Sequence, residues 1–224
     1  MDLQALALTL RLAVVTTGLL LVIAVPVAYW IAFTGSRLRA LVEAVSTLPL
    51  LLPPTVLGFY LLVLLGPRTP FGRAWIQLTG HPLAFSFTGL VVGSVIYSFP
   101  FAVQPLVAGF SGVDTALLEQ ARLLGASRLR LLRAVLLPLT ARSVLTAAVL
   151  CFTHTVGEFG VVLMIGGDIP GATRTLSISI YDQVQDFAYT QANRTALVLV
   201  VISVAALVLL YSRRRHGLSE ARHG

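Results

Sequence analysis

The sequence is poor in charge. Only 11% of its 224 residues are charged, whereas 57% are hydrophobic, and soluble domains carry about 25% charged residues. It contains no lysine, so the formal net charge of +7 comes from 16 arginines set against 9 acidic residues. This composition excludes an ordinary water-soluble fold and predicts a membrane protein. Arginines that flank apolar runs are typical orientation signals, so we expect membrane lipid rather than nucleic acid as a partner.

Residues for catalysis or metal binding are equally scarce. The single cysteine, Cys151, cannot form an intramolecular disulfide or a cysteine metal site, and we expect a small apolar core residue. Cys151, His154 and Glu158 are the only candidates for an intramembrane enzyme, and the four histidines cannot form an H-E-x-x-H zinc motif. A phosphate-binding G-x-x-x-x-G-K-[ST] loop is also missing, so this chain cannot be an ATPase. We predict a protein with no catalytic residue, no metal and no bound cofactor.

Long uncharged runs are what the sequence has instead. A membrane-spanning helix needs roughly 20 mostly apolar residues, and such runs predict spans at about 12–33, 44–65, 83–110, 143–167 and 195–212. The first is longer than the core of a signal peptide, so we expect a retained helix. The predicted fold class is an all-α membrane protein of about five transmembrane helices, forming a single domain over residues 1–224.

The arginines predict the orientation of these spans. With the amino terminus outside, most of the 16 arginines fall in inner segments, as the positive-inside rule requires. The inner set is Arg37, Arg39, Arg122, Arg128, Arg130, Arg133, Arg142, Arg213, Arg214, Arg215 and Arg222, and the outer set is Arg11, Arg68, Arg73, Arg174 and Arg194. We therefore expect a cytoplasmic carboxyl terminus and a cytoplasmic loop at about 111–140.

That loop has the pattern of two short helices. Ser111 and Asp114 have the spacing of a helix cap, Gly125 can provide a left-handed turn, and Ser127 can cap a second helix. Pro138 is expected to interrupt the second helix where the next span begins. Periodicity alone leaves three interpretations open: a basic helix resting on anionic lipid, a solvated loop, or a docking element for a partner.

The spacing Glu119-x-Ala121-x3-Gly125-x9-Val135-x-Leu137-Pro138 resembles the EAA loop of permease subunits in bacterial ABC importers, with Gln120 and Val135 departing from the usual residues. The resemblance implies a type I ABC importer permease fold whose loop forms a coupling helix and docks on a nucleotide-binding subunit. The implied ATPase-coupling residues are Glu119, Gln120, Ala121, Gly125, Val135, Leu137 and Pro138.

Two longer segments, 48–66 and 157–181, resemble the molybdate, tungstate and sulfate branch of these permeases. The resemblance implies an ATP-driven oxyanion importer in the bacterial inner membrane, with molybdate ranked first and tungstate, sulfate or thiosulfate as alternatives. It also implies a homodimer, two ATP-binding subunits that use ATP-Mg, and an extracytoplasmic oxyanion-binding protein. A secondary carrier that works without ATP is the less favoured class.

Proline, glycine and one acidic residue mark a candidate pathway inside the spans. Prolines should bend or break the second and third spans, and broken backbone in lipid needs a protein or water-filled cover. Glu158 could be protonated, paired, or near the outer end of its span, and His154 could hydrogen-bond to it. We favour a structural or gating role for Glu158 over substrate contact. The pathway or gate candidates are Pro53, Pro54, Pro100, Gly157, Glu158, Gly160 and Arg174.

Overall fold

The computed structural model describes the backbone of residues 2–220 and the side chains of residues 2–212, so Arg222 of the orientation argument lies outside the described residues. Within that range the regular structure is entirely helical. The helices are α1 (Leu3–Phe33), α2 (Arg39–Leu51), α3 (Pro54–Leu65), α4 (Pro70–Thr79), α5 (Phe87–Ser111), α6 (Thr115–Leu123), α7 (Arg128–Leu131), a π-helical turn (Leu132–Leu136), α8 (Leu137–Leu139), α9 (Ala141–Gly157), α10 (Gly160–Gly166), α11 (Leu176–Gln185) and α12 (Tyr189–Glu220). Among the described residues, α1, α5 and α12 can each span a membrane alone, and counting two bent helix pairs gives up to five spans.

The first helix begins earlier than the first uncharged run. The Asp2 carboxylate accepts hydrogen bonds from the backbone N–H groups of Gln4 and Ala5, both at 3.0 Å, and so caps α1 at Leu3. Arg11 lies within the helix, where its guanidinium stacks 4.5 Å from the centroid of the Phe87 ring. Arginine is a good helix former, so the charge that ends the uncharged run does not end the helix.

The main core lies where α1, α5 and α9 meet. Two small residues of α1, Ala24 and Ala28, are fully buried in one cluster with Leu106 and Phe110 of α5. Gly109 of α5 and Ser143 of α9 approach so closely that a Cβ on the glycine would lie 2.2 Å from the serine Oγ. This close packing fixes α5 against α9, the two helices that enter and leave the loop 111–140.

The second predicted span is broken as expected. α2 and α3 meet at a bend of 110° around Leu52 and Pro53. Pro54 is the first residue of α3, a position where the missing proline N–H would have no intrahelical partner anyway. The third span behaves differently, because α5 continues through Pro100 and Pro105 as one helix. The third span is therefore not broken at its prolines, and a bend within α5 stays a prediction.

The run 143–167 is divided between two helices. α9 ends at Gly157, Glu158 has an extended backbone with ψ of 134°, and α10 begins at Gly160. At the other end of α9, the chain turns by 80° between the Arg128–Leu139 segment and Ala141. α4 and α11 were not predicted. Their first turns are capped by Thr69 and Thr175, whose side-chain oxygens accept backbone N–H bonds.

Candidate functional site

The loop 111–140 is a helical hairpin whose first arm is α6. Asp114 caps this arm, with its Oδ1 accepting the Ala116 N–H at 2.9 Å. Ser111 takes no part in the cap because it is still the last residue of α5. The cap is therefore simpler than the sequence pattern indicated, and it starts α6 directly after the end of a spanning helix.

Gly125 makes the reversal between the two arms. Its φ is +81°, in the left-handed region where glycine avoids the strain that a Cβ would introduce. The Gly125 N–H binds the Arg122 carbonyl at 2.9 Å, and the Ala126 N–H binds the Ala121 carbonyl at 3.0 Å. These two bonds form the Schellman motif that commonly ends a helix. The glycine is needed for its backbone angle, since nothing lies within 4 Å of where its Cβ would be.

The second arm returns to the membrane through a π-helical turn. Ser127 caps α7 through the Arg130 N–H at 3.3 Å, as expected. Leu137 donates its N–H to the Leu132 carbonyl, one residue further back than in an α-helix. Pro138 follows at once and has no N–H to donate, so the regular ladder ends here. The chain then turns at Thr140, whose hydroxyl donates to the Leu136 carbonyl at 2.7 Å.

The two arms enclose a groove of about 390 Å³ between α6 and the segment that ends at Leu139. Four of the seven implied coupling residues line it: Gln120, Ala121, Val135 and Pro138. Leu137 packs instead against the main core, and Glu119 is exposed on α6. The tip of the hairpin is apolar, since Leu123 and Leu124 are 87% and 89% exposed. An exposed apolar tip beside a shaped groove is typical of a surface that a partner covers.

The two broken spans meet at their breaks. A Cβ on Gly160 would lie 2.6 Å from the Cβ of Pro54, so the start of α10 rests directly on the start of α3. One turn further along, Gly58 of α3 faces Met164 of α10, and a Cβ on that glycine would lie 2.7 Å from the methionine Cβ. These glycines are needed for close approach. Pro54 and Gly160, two of the gate candidates, are therefore in contact.

Glu158 caps α10 from inside the protein. Its side chain is buried, and Oε1 accepts the N–H groups of Val161 and Val162 at 2.9 and 3.2 Å. Oε2 accepts the Ser94 hydroxyl at 3.3 Å, while the Glu158 carbonyl accepts the Ser177 hydroxyl at 2.6 Å. An ionisable group in a span is costly unless it is bonded. Each carboxylate oxygen has a donor, and this geometry supports the structural role that we favoured from the sequence.

His154 hydrogen-bonds to Ser98 and not to Glu158, the partner that the sequence left open. Its Nδ1 lies 2.9 Å from the Ser98 hydroxyl, and its ring packs 4.1 Å from the centroid of Phe101 and 4.9 Å from that of Tyr97. The helix ends at Gly157, so Glu158 leaves the helical face that the i, i+4 argument assumed. The two polar groups therefore bind different serines of α5.

The outer segment around Arg174 is an ordered turn. The guanidinium donates to both oxygens of Asp168, from Nε at 2.5 Å and from Nη2 at 2.7 Å. Arg174 holds the pKa of Asp168 below its usual range, and its own pKa is raised by the same contact. Burial and the neighbouring Asp168 raise the pKa of Asp182 to about 6. Because Arg174 already binds a carboxylate, an oxyanion would have to displace Asp168 to reach it.

The remaining gate candidates are spread along the bundle. Gly157 is exposed and has open space around its Cβ position, and Pro53 lies at the break itself. Pro100 is buried in α5, about 9 Å of helix beyond Ser94. The contacts that hold the break together include Ser94 and Ser177, which sequence reasoning missed. Their only signal was a small polar residue within an apolar stretch.

Across the described part of the chain, no group of three or more His, Cys, Asp or Glu side chains could hold a metal ion. The buried polar groups instead bind one another or the backbone. Thr173 is fully buried, where its hydroxyl donates to the Gly166 carbonyl at 2.7 Å and accepts the Ile169 N–H at 3.1 Å. These bonds hold the end of α10 at Gly166 against the turn that follows it.

Comparison with known proteins places this architecture. Residues 24–217 match the family described as binding-protein-dependent transport system inner membrane component. The chain is 51% identical over 214 residues to the molybdenum transport system permease protein ModB of Azotobacter vinelandii, covering 96% of this chain and 95% of that protein. It is 36% identical to the ModB protein of Escherichia coli K12 over 186 residues, which are 83% and 81% of the two chains.

A solved structure shows the same fold. The crystal structure of a bacterial alginate ABC transporter, in complex with a periplasmic protein that carries an alginate pentasaccharide, aligns with a TM-score of 0.76 at 16% identity. The alignment covers 96% of this chain and 78% of that one. The all-α, type I importer permease fold expected from the sequence is confirmed, and the protein is a multi-pass membrane protein and a transport subunit. The chain belongs to the family of inner membrane components of binding-protein-dependent transport systems, with the molybdenum transport permeases among its relatives.

Proposed function

We propose that this chain is the membrane-spanning subunit of an ATP-driven importer for molybdate or a closely similar oxyanion. Two copies form the translocation pathway, two separate ATP-binding subunits hydrolyse ATP-Mg, and an extracytoplasmic binding protein delivers the anion. The observation that carries this proposal is the hairpin of residues 111–140. Its Schellman turn, shaped groove and exposed leucine tip make a rigid, apolar surface suited to a soluble partner.

The hairpin is mechanically suited to transmit force. α6 follows α5 after a short turn, and the second arm leads into α9 through Thr140, whose side chain is buried. α5 and α9 are packed closely at Gly109 and Ser143. A displacement of the hairpin would therefore reach both helices together, since packed cores transmit strain instead of absorbing it.

Polar surface inside the membrane supports a pathway near α2 and α5. A cavity of about 360 Å³ between these helices is lined by Ser46, Thr47 and Gln104 among others. Gln104 is exposed in the second half of the spanning helix α5, about 10 Å of helix before its last residue. Lipid does not cover polar groups at this depth without a large cost in free energy. We infer that a second copy of the chain or water covers this face, as a pathway between two subunits would require.

The proposed orientation puts the amino terminus outside and the hairpin and carboxyl terminus in the cytoplasm. The excess of arginines in the hairpin and in residues 34–43 supports it. So does the position of the hairpin, which must lie on the side where ATP is available. Cysteine labelling of single exposed positions in intact cells, at Leu123 and at Leu78 of α4, tests this orientation.

The proposal of molybdate as the substrate is supported by the molybdenum transport permeases among the relatives. Tungstate, sulfate and thiosulfate are the alternatives because tetrahedral oxyanions share charge and shape.

The experiment is reconstitution of the full chain in lipid with its candidate ATPase and oxyanion-binding protein. ATP hydrolysis is then measured with each anion in turn. We expect binding protein loaded with molybdate to stimulate hydrolysis and Gly125→Trp to remove the stimulation. Gly80→Trp is the matched control, because Gly80 also has a left-handed backbone, with φ of +78°, and open space around its Cβ position. If the chain bound no ATPase yet moved anion in response to an ion gradient, it would be a secondary carrier.

A further inference from the structure

A second cavity lies on the other side of the hairpin, facing the end of α1. It has a volume of about 530 Å³ and separates the last turn of α1 from the start of the second arm. None of the seven implied coupling residues lines this cavity. Its lining is Tyr29, Trp30, Phe33, Thr34, Arg122, Ala126, Arg128 and Leu131. Aromatic side chains thus form one wall and two guanidinium groups the other.

The two arginines of this cavity have no partner among residues 2–212, whose side chains the structure describes. Arg122 and Arg128 are exposed, and neither side chain forms a hydrogen bond or an ion pair within that range. By contrast, Arg39 pairs with Glu43 and Arg174 with Asp168. A planar guanidinium binds phosphate through two parallel N–H bonds, so the pair is suited to one phosphate group. The Thr34 hydroxyl accepts the Ser36 N–H at 3.2 Å and can still donate its own hydrogen.

The cavity continues into an apolar stripe on α1. Leu19, Ile23 and Trp30 are spaced four and seven residues apart, so they share one face of the helix, and they are 43%, 42% and 37% exposed. From Leu19 to Trp30 the helix rises about 16 Å, which is half of the roughly 30 Å hydrocarbon core. Trp30 and Tyr29 lie at the arginine end of this stripe, where aromatic residues usually mark the membrane surface. The stripe is therefore as long as one leaflet.

We propose that this cavity binds the headgroup of an anionic phospholipid from the cytoplasmic leaflet, with its acyl chains along the α1 stripe. The phosphodiester lies between Arg122 and Arg128, and Trp30 lies at the level of the glycerol backbone. A lipid that carries a choline ammonium binds less well, because the same guanidinium groups repel the second, positive charge. The bound lipid connects the hairpin to the end of α1 and so makes the hairpin sensitive to membrane composition. Only the assignment to the cytoplasmic leaflet rests on the proposed function.

Two other occupants share part of this chemistry. Free phosphate would use the arginines but leave the apolar stripe without a role. An acidic segment of an ATPase subunit would also pair with the arginines, but the leucine tip and the groove already offer that partner a separate apolar surface. The continuity of arginines, aromatic belt and leaflet-length stripe favours the lipid.

Tryptophan fluorescence can test this directly because the chain has only two tryptophans. In a Trp75→Phe background, Trp30 is the single reporter and lies in the cavity wall. The full chain is reconstituted in phosphatidylcholine vesicles that contain increasing fractions of phosphatidylglycerol or phosphatidylcholine with brominated acyl chains. We expect brominated phosphatidylglycerol to quench Trp30 at a mole fraction roughly thirtyfold lower than brominated phosphatidylcholine, as two arginines near an anionic surface imply.

A charge-matched pair of variants separates the cavity from general basicity. Arg122→Gln with Arg128→Gln should abolish the preference, whereas Arg130→Gln with Arg133→Gln, on the same hairpin but outside the cavity, should keep it. Equal quenching by both lipids in the parent chain, or equal loss in both double variants, would overturn the proposal. Displacement of the brominated lipid by millimolar inorganic phosphate would identify a free-anion site instead and also overturn it.

Folding is checked by helix content, measured by circular dichroism. If the first double variant does not fold, Arg122→Lys with Arg128→Lys replaces it. Lysine keeps the charge but loses the bidentate geometry, so the preference should fall several-fold without vanishing. An unchanged preference in the lysine variant would refute the two-guanidinium site. The assay needs neither ATP nor an ATPase, so it stands even if the proposed transport function fails.

Discussion

Substituting Gly160 with alanine tests whether the two broken spans pack against each other at their breaks. The added Cβ would lie 2.6 Å from the Cβ of Pro54 and 3.5 Å from its carbonyl carbon. Carbon atoms in optimal contact are about 3.5–4.0 Å apart, so α3 and α10 must separate by about 1 Å. The proline ring cannot rotate away as a long side chain could. We expect the free energy of unfolding to fall by about 1–3 kcal/mol, the usual cost of overpacking.

The control is Gly157→Ala, three residues away. Nothing lies within 4 Å of its Cβ position, and the residue is the last of α9. Alanine should leave stability unchanged or raise it by about 0.4–1 kcal/mol, because it restricts the unfolded chain. The assay is thermal unfolding of the purified chain in one detergent, where roughly 2–4 °C corresponds to each kcal/mol for a chain of this length.

A double-mutant cycle shows whether the contact itself is responsible. Pro54→Gly removes the Cβ that Gly160→Ala would meet, so the double variant should lose less stability than the two single changes added together. Residues in contact typically show interaction energies of about 0.5–3 kcal/mol. Additive effects, or equal melting temperatures for Gly160→Ala and Gly157→Ala, would show that the break is not packed as described.

Three further predictions concern single side chains. Gly125→Ala should lower the free energy of unfolding by about 1–2 kcal/mol through the positive φ alone. Gly125→Asn should lower it by less, because asparagine tolerates this backbone region. Chemical denaturation of both variants measures the difference. Glu158→Ala leaves the Val161 and Val162 N–H groups without their acceptor and should lower the free energy of unfolding by about 1–3 kcal/mol. Glu158→Gln should lower it by less, because the amide still accepts through one oxygen. Melting temperatures that rank the two variants in the opposite order would contradict the cap. Asp182 has a pKa of about 6 in the folded chain, above the ordinary value of 3.8, so its carboxyl favours folding below about pH 4 and this contribution is lost as pH rises through 6. Asp182→Asn should therefore raise the melting temperature at pH 8 and change it little at pH 4, and an effect confined to acid would reverse the assigned sign.

The elements that sequence reasoning predicted correctly are those determined by local chemistry. A glycine after an amphipathic segment indicated the left-handed turn at Gly125, and adjacent prolines indicated the break at Pro53. Both effects come from one residue's own backbone, so neighbours in the fold are not needed to detect them. The same local argument allowed a break at Pro100, where none occurs, because a proline within a long helix can be accommodated by helices packed around it.

Other features were missed because they depend on residues far apart in the sequence. The hydrogen bond from Ser94 to Glu158 joins positions 64 apart, and the one from the Leu176 N–H to Thr9 joins positions 167 apart. In the sequence, Ser94 and Thr9 cannot be distinguished from the many other serines and threonines in apolar stretches. α11 was missed for the same reason: its buried first turn is held by Thr9 and Ser177, and its own periodicity is too short to indicate burial.

The cap on α10 has a consequence for how the chain enters the bilayer. α10 has seven residues and rises about 10 Å, a third of the hydrocarbon thickness. The acceptor for its first N–H groups is Glu158, which precedes it by two residues and emerges from the ribosome just before it. The helix end can thus be satisfied during synthesis, before α11 exists and before any long-range contact forms. Only the Ser177 bond to the Glu158 carbonyl must wait for later residues. A carboxylate that looks like a barrier to membrane insertion is, in this place, what lets a short helix be inserted with its first backbone groups already bonded.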